Sequence, residues 1–151
     1  MNANAKLTLR TATTDEAEVI HDLLARSGLP TGDLSTARPE FVVAAHGGQI
    51  IGIGALEHFG SAALVRSVAV EAQSRGSGVG RLIVEELERR ARTARIDELI
   101  LLTLTARDFF ERLGYSAKER SDVPPAVRES AEFRALCPAT AVCMAKTLSL
   151  D

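Results

Sequence analysis

The run Arg75-Gly76-Ser77-Gly78-Val79-Gly80 stands between a β-prone segment ending at Val70 and a long helical pattern. Glycines let a ligand approach the backbone where a Cβ would intrude. The free N–H groups of a helix's first turn, at the positive end of its dipole, suit a phosphate. Helix starts ordinarily attract Asp or Glu, yet residues 75–84 hold no acid and two arginines, Arg75 and Arg81, and Glu85, Glu86 and Glu88 come only afterwards. This pattern predicts that an outside anion occupies the helix start. A dinucleotide-binding GxGxxG begun at Gly76 would need glycine where Arg81 stands, and a P-loop would need a Gly-Lys-Ser/Thr that is absent. A tight turn requiring positive φ accounts for one glycine but hardly for three that alternate.

The elements that must hold this loop follow from periodicity. Leu7 and Leu9 alternate with Thr8 and Arg10, predicting a first strand over Lys6 to Arg10. Thr13 and Glu16 have capping-box spacing, Ala17, Ile20, Leu23 and Leu24 recur at helical intervals, and Gly28 then Pro30 stop the helix. Residues 29–39 read as loop with a short helical turn. Phe41 to Ala45, Ile50 to Leu56 and Ala62 to Val70 are β-prone runs joined by short polar connectors, which implies an antiparallel meander. A long helix follows from Gly78 to Ala94, with Val79, Leu82, Ile83, Leu87, Ala91 and Ala94 on one stripe. Leu99 to Leu104 suits a central strand covered on both faces. Ala106 to Leu113 reads as a helix with Thr105 as N-cap and Gly114 as stop. A strand over Tyr115 to Lys118, a helix over Pro124 to Phe133 and a final strand over Ala139 to Leu148 complete an α/β order without internal repeats.

Length and composition bound the function. At 151 residues the chain has the size of one domain. It is 46% hydrophobic and 25% charged with a formal charge of −2, which excludes disorder, collagen and a disulfide scaffold. No block of like charge supplies the basic face that nucleic acids or anionic membranes require. No apolar run reaches the roughly 18 residues of a membrane span, and residues 1–10 lack the pattern of a signal peptide, so the expected location is cytoplasmic. Cys137 and Cys143, without a nearby His, do not make a four-ligand zinc site, and no metal is expected.

The sequence resembles the GNAT family of acyl-CoA-dependent N-acyltransferases. Val68-Ala69-Val70 followed by RGSGVG matches that family's strand and its R/QxxGxG/A loop, and Ala106-Arg107-Asp108-Phe109-Phe110-Glu111-Arg112-Leu113-Gly114-Tyr115 matches its AxxFYxxLGF pattern. The resemblance implies a single domain over residues 1–151 with a mixed, mostly antiparallel twisted sheet flanked by helices, and acetyl-CoA as co-substrate. It implies that Val68, Ala69 and Val70 offer backbone groups to the pantetheine arm. Arg75, Gly76, Ser77, Gly78, Val79, Gly80 and Arg81 would hold the pyrophosphate, with Thr103, where the family often has Asn, and Phe109 completing the cofactor set. Two neighbouring strands of the family splay after the meander, and the thioester lies in the gap. Leu64 to Val70, Asp122 to Arg128, Glu132-Phe133 and Leu136 to Met144 look further like the GNAT subfamily of arsenic-resistance N-acetyltransferases.

Acetylating an amine requires an unprotonated nitrogen, a polarised thioester and a proton for the thiolate, with much of the rate available from orientation alone. Glu57, near a strand end, is the expected base, directly or through water; the alternative is a solvated carboxylate. His58 follows it, and alternation sends the two to opposite faces. Arg66 lies in an otherwise apolar strand, where a charge needs a partner. It either clamps a substrate carboxylate or oxyacid or pairs with Glu57 or another acid; alternation, which places Arg66, Val68 and Val70 on one face, favours the substrate. Ser67 and Phe110 complete the expected acceptor site. Phe110 stands where many family members carry a Tyr that can protonate the thiolate, so either Thr105, Thr103, Ser67 or water substitutes, with Thr105 the leading candidate, or the thiolate leaves unaided.

Cys137 and Cys143 could bridge trivalent arsenic, against the ordinary role of Cys as a small buried hydrophobe. Pro124 to Phe133 reads either as a cover over the acceptor pocket or as a solvated helix. The resulting expectation is acetyl transfer to a small, anionic, amino-acid-like primary amine, including an arsenical or phosphinate, by a monomer or homodimer. The competing class is a non-catalytic acyl-CoA-binding or sensor module.

Overall fold

The computed structural model describes residues 7–136 and 139–148. Among the described residues the strands are β1 (Leu7–Thr11), β2 (Glu40–His46), β3 (Gln49–Phe59), β4 (Ala62–Val70), β5 (Glu98–Thr103), β6 (Ser116–Ala117) and β7 (Val142–Thr147). They form one sheet in the order β1-β2-β3-β4-β5-β7-β6. Only β4 and β5 pair in parallel; every other neighbour is antiparallel. The helices are α1 (Ala17–Arg26), α2 (Leu34–Ala37), α3 (Val79–Thr93), α4 (Arg107–Arg112) and α5 (Pro125–Arg128). This is the α/β architecture expected, with the meander at β2–β4.

Helices cover both faces because each carries one apolar stripe. Val79, Ile83, Val84, Leu87 and Ala91 of α3 are buried against Val42, Leu56 and Val65. On the other face Ile20, Leu23 and Leu24 of α1 meet Val43, Ile53 and Ala69. α3 lies so close to β3 that a Cβ on Gly54 would fall 2.5 Å from Ile83 Cγ2, and one on Gly52 would fall 2.8 Å from Ile83 Cδ1. These two glycines serve packing, and their absence of side chains lowers α3 onto the sheet.

Two irregularities create the site. β4 pairs with β5 only from Ala62–Glu98 to Leu64–Ile100, although β4 runs on to Val70 and β5 to Thr103. The two strands therefore part after Leu64, and the facing edge of β4 is left without a neighbouring strand. In addition, Ile53 pairs with Ala69 and Ala55 with Arg66, so Ser67 and Val68 stand opposite Gly54 alone. This is a β-bulge, and Ser67 adopts φ +61° within it.

The bulge corrects one expectation. An extra residue inverts the inward–outward phase of everything beyond it. Val65 and Val68 pack toward α3, as does Val70, whose Cγ2 would lie 3.8 Å from a Cβ on Gly80. Arg66 instead shares the opposite face with Glu57 and Leu64, so Arg66, Val68 and Val70 are not on one face. The C-terminal segment also differs from expectation. In place of one helix over 124–133, α5 ends at Arg128 and a π turn spans Glu132–Leu136. Ser130 intervenes, its hydroxyl donating to Val127 O at 2.6 Å, which competes with helix continuation. Val123, Val127 and Phe133 pack onto Leu64, Ile100 and Cys143 and hold this segment against the sheet.

Candidate active site

The parted strands enclose a cleft of about 950 Å³. One wall is Val65 to Val70 of β4, the other Leu101 to Ala106 at the end of β5, and the floor near α3 includes Arg75, Gly76, Gly78, Val79, Gly80 and Arg81. Phe109 and Phe110 of α4 and Glu132 of the π turn line it too.

At the α3 end, Gly76 and Gly78 have φ +82° and +87°, and a Cβ on either would meet nothing within 4 Å. Conformation therefore selects these two glycines. Gly80 has a different reason, since a Cβ there would come within 3.3 Å of Phe109 Cζ. The single explanation expected for all three divides into two. Leu82 N is the donor that reaches Gly78 O, so the N–H groups of Val79, Gly80 and Arg81 at the helix start have no intrahelical acceptor. The first turn of α3 carries no acid. Arg75 is anchored by a hydrogen bond from its Nε to Val70 O at 3.1 Å, and the Ser77 hydroxyl donates to Ser74 O. Thr103 Oγ1 accepts from Ala106 N at 2.9 Å and so orders the turn into α4. Thr105, expected as the N-cap, does not cap; α4 begins after Ala106, and exposed Thr105 lines the cleft.

At the other end Arg66 is fully buried. Its Nη1 and Nη2 donate to the two carboxylate oxygens of Asp33 at 2.7 Å each, and Nη1 also donates to Glu57 Oε1 at 2.9 Å. The guanidinium holds the Asp33 carboxyl below its usual range. Glu132 Oε1 lies 3.8 Å from Arg66 Nε, within Coulombic reach but too far for a hydrogen bond. Burial, opposed by Arg66 and reinforced by Asp33 and Glu57, pushes the Glu132 carboxyl up to about 7. Arg66 Nε, Ser67 Oγ and Glu132 Oε2 are all buried without a hydrogen-bond partner. Buried polar groups are ordinarily satisfied, and all three residues line the same cleft.

A family model for the acetyltransferase (GNAT) domain matches residues 37–117, more than half of the chain. The chain belongs to the GNAT acetyltransferase family. An uncharacterized N-acetyltransferase of Chlorobaculum tepidum is 34% identical over 114 residues, covering 72% of this chain and 71% of that protein. Rv2747 of Mycobacterium tuberculosis, solved with CoA, superposes with a TM-score of 0.79 at 28% identity over 94% of this chain and 99% of that one. N-acetylglutamate synthase of Neisseria gonorrhoeae, solved with coenzyme A and N-acetyl-glutamate, gives 0.82 at 20% identity over 97% of this chain. This chain spans only 36% of that synthase, and the likeness is one of fold. As a GNAT enzyme the chain is an acyl-CoA-dependent N-acetyltransferase, and acetyl-CoA is the fitting co-substrate. The open glycine cradle and the acid-free start of α3 suit its anionic pyrophosphate.

The GNAT scaffold brings together Val68, Ala69, Val70, Arg75, Gly76, Gly78, Val79, Gly80, Arg81, Thr103, Thr105, Phe109, Phe110, Arg66 and Ser67, all of which line the cleft. Glu57 is not among the lining residues; its Oε1 accepts a hydrogen bond from Arg66 Nη1. Arg66 is corrected from substrate clamp to ion-pair hub, because Asp33 and Glu57 occupy its Nη atoms. His58 is on the other face, exposed, with Nε2 3.0 Å from Glu40 Oε1. Phe110 packs edge-on between Phe109 and Tyr115. The Tyr115 hydroxyl donates to Glu88 Oε2 at 2.9 Å, away from the cleft, and burial raises its phenol above the usual value. Cys143 is buried in the apolar cluster of α5, and burial raises its thiol; Cys137 lies outside the described residues. Asp33 and Glu132 were not expected. A lone acid in a loop and another beside Phe133 carry no periodic signal, and only the tertiary fold collects them around Arg66.

Proposed function

We propose that the protein transfers acetyl from acetyl-CoA to the primary amine of a small molecule bound between β4 and the π turn. The observation that carries this reading is one continuous cleft, with an acid-free helix start at one end and three buried, unpartnered polar atoms at the other. In this reading the free edge of β4 at Val68, Ala69 and Val70 receives the pantetheine amides, since unpaired strand N–H and C=O groups require partners. Arg75 to Arg81 hold the pyrophosphate, and Thr103 and Phe109 border the arm. Acetyl-CoA supplies an acetyl carbon activated as a thioester. The chain orients it and excludes water, which is where most of the rate arises. Phe110 contributes packing and has no proton to give, so the thiolate's proton comes from the hydroxyl of Thr105, a residue that lines the cleft, or from water.

An anionic, amino-acid-like acceptor draws no support from Arg66, whose charge is answered by its own acids. An arsenical acceptor rests on the subfamily likeness alone, and Cys143 in its apolar cluster adds nothing to it. We further propose that residues 1–151 work as one domain in the cytoplasm. Among the described residues, no helix is long and apolar enough to cross a membrane.

Thiol release from acetyl-CoA across a panel of primary amines tests the reading. Amine-dependent release with stoichiometric N-acetylated product is expected. Tight coenzyme binding without turnover for any amine overturns it and favours a binding module.

A further inference from the structure

We propose that Glu132 receives the acceptor's ammonium group and takes its proton, and that the acceptor is a cationic amine with no carboxylate beside its nitrogen. The inference rests on the acetyl-transfer reading and adds the acceptor's chemistry to it.

Three observations carry it. Glu132 lines the cleft with its side chain 5% exposed, and its buried Oε2 is an acceptor that no donor satisfies. Ser67 Oγ, equally buried and unpartnered, belongs to a residue that lines the same cleft from the bulge of β4, next to Arg66, and is a further acceptor for an N–H donor. The charges here are three carboxylates, Asp33, Glu57 and Glu132, against the single guanidinium of Arg66. The excess is negative, which attracts an ammonium and repels a carboxylate placed next to it.

The geometry also separates the roles of the acids. Asp33 and Glu57 are fixed to Arg66 by hydrogen bonds at 2.7 to 2.9 Å, whereas Glu132 has none and keeps its lone pairs for a ligand. The groups facing it are Arg66, which favours its ionised form, and Asp33 and Glu57, which disfavour it; burial tips the balance toward a carboxyl that titrates near neutral pH. Such a group matches the task of a general base at working pH.

The step balances. One N–H bond of the ammonium breaks and an O–H bond forms on Glu132, leaving a neutral amine. As the nitrogen bonds to the acetyl carbon the C–S bond breaks; the thiolate takes its proton from the Thr105 hydroxyl or water, and the nitrogen's second proton restores that donor. Glu132 then returns its proton to solvent.

The test uses the full chain saturated with CoA, n-butylammonium and n-butyrate as probes, and Glu132→Gln alongside the native protein. Calorimetry at pH 8 should show butylammonium binding, weakened at least tenfold by Glu132→Gln, and no butyrate binding. Undetectable butylammonium binding, equal binding to the variant, or preferential butyrate binding overturns the proposal. CoA affinity should be unchanged in the variant, which confirms a folded cleft; if CoA binding is lost, Glu132→Asp is titrated with butylammonium instead, and binding like the native protein's is required. With n-butylamine as acceptor, kcat/KM of the native protein should rise with unit slope to an inflection near pH 7. The variant should lose that inflection and about a hundredfold in rate at pH 7. Ammonium binding without thiol release would instead count against acetyl transfer while leaving the ammonium site standing.

Discussion

Replacing Glu132 by Gln should make the protein more stable at pH 8. The side chain is 5% exposed, and burial raises its carboxyl from the usual 4.5 to about 7. Between those values the folded state holds a proton that the unfolded chain has released. The folded state is therefore favoured less as pH rises through that window, and the cost is complete above about pH 7. At about 1.4 kcal/mol per pH unit the cost is about 3 kcal/mol. Glutamine keeps the volume and removes the charge, while Asp33 and Glu57 still satisfy Arg66. Urea unfolding at pH 8 should show a gain of about 3 kcal/mol, or roughly 6 to 12 °C in Tm for a chain of this length. The gain should shrink toward zero as pH falls to about 4.5. A variant less stable than the native protein at pH 8 would mean that Glu132 is chiefly a stabilising partner of Arg66, which would refute the argument for a costly, ligand-seeking carboxylate.

Gly78→Asp places a carboxylate at the start of α3 in a left-handed position, φ +87°. Acetyl-CoA affinity should fall tenfold or more, about 1.4 kcal/mol, in equilibrium binding; unchanged affinity would show that the pyrophosphate lies elsewhere. Tyr115→Phe removes the hydrogen bond to Glu88, which keeps Lys146 at 3.1 Å. Chemical denaturation should show a loss of about 1 kcal/mol. The pH–rate profile should not move, and loss of its alkaline limb would place the Tyr115 phenol at the reaction after all.

The longer elements were legible because each obeys a single period, unlike the segment after Pro124, where Ser130 breaks the expected helix. The strand Ala62 to Val70 has its expected boundaries, and α3 differs by one residue at each end. What escaped depends on register and on distant residues. Alternation counts along one strand and cannot reveal that Ser67 and Val68 share a single partner across the ladder, so the face of Arg66 was inverted. The acids around Arg66 come from positions 33, 57 and 132, with no common spacing. Thr103 rather than Thr105 orders the turn into α4 because the chain leaves β5 sharply enough for that hydroxyl to reach Ala106 N. The cofactor end was legible for the opposite reason: its glycines and missing acids are contiguous.

The bulge at Ser67–Val68 is an addition that the rest of the ladder does not depend on. Both residues stand opposite Gly54, and pairing resumes with Ala69 on Ile53 and Val70 on Gly52, so a strand lacking Ser67 would keep Val68 and Val70 against α3 and its neighbours in register. Such a strand would lose the left-handed residue and the buried hydroxyl that it brings to the cleft beside Arg66. A one-residue deletion here should therefore cost the protein its acceptor site well before it costs the fold.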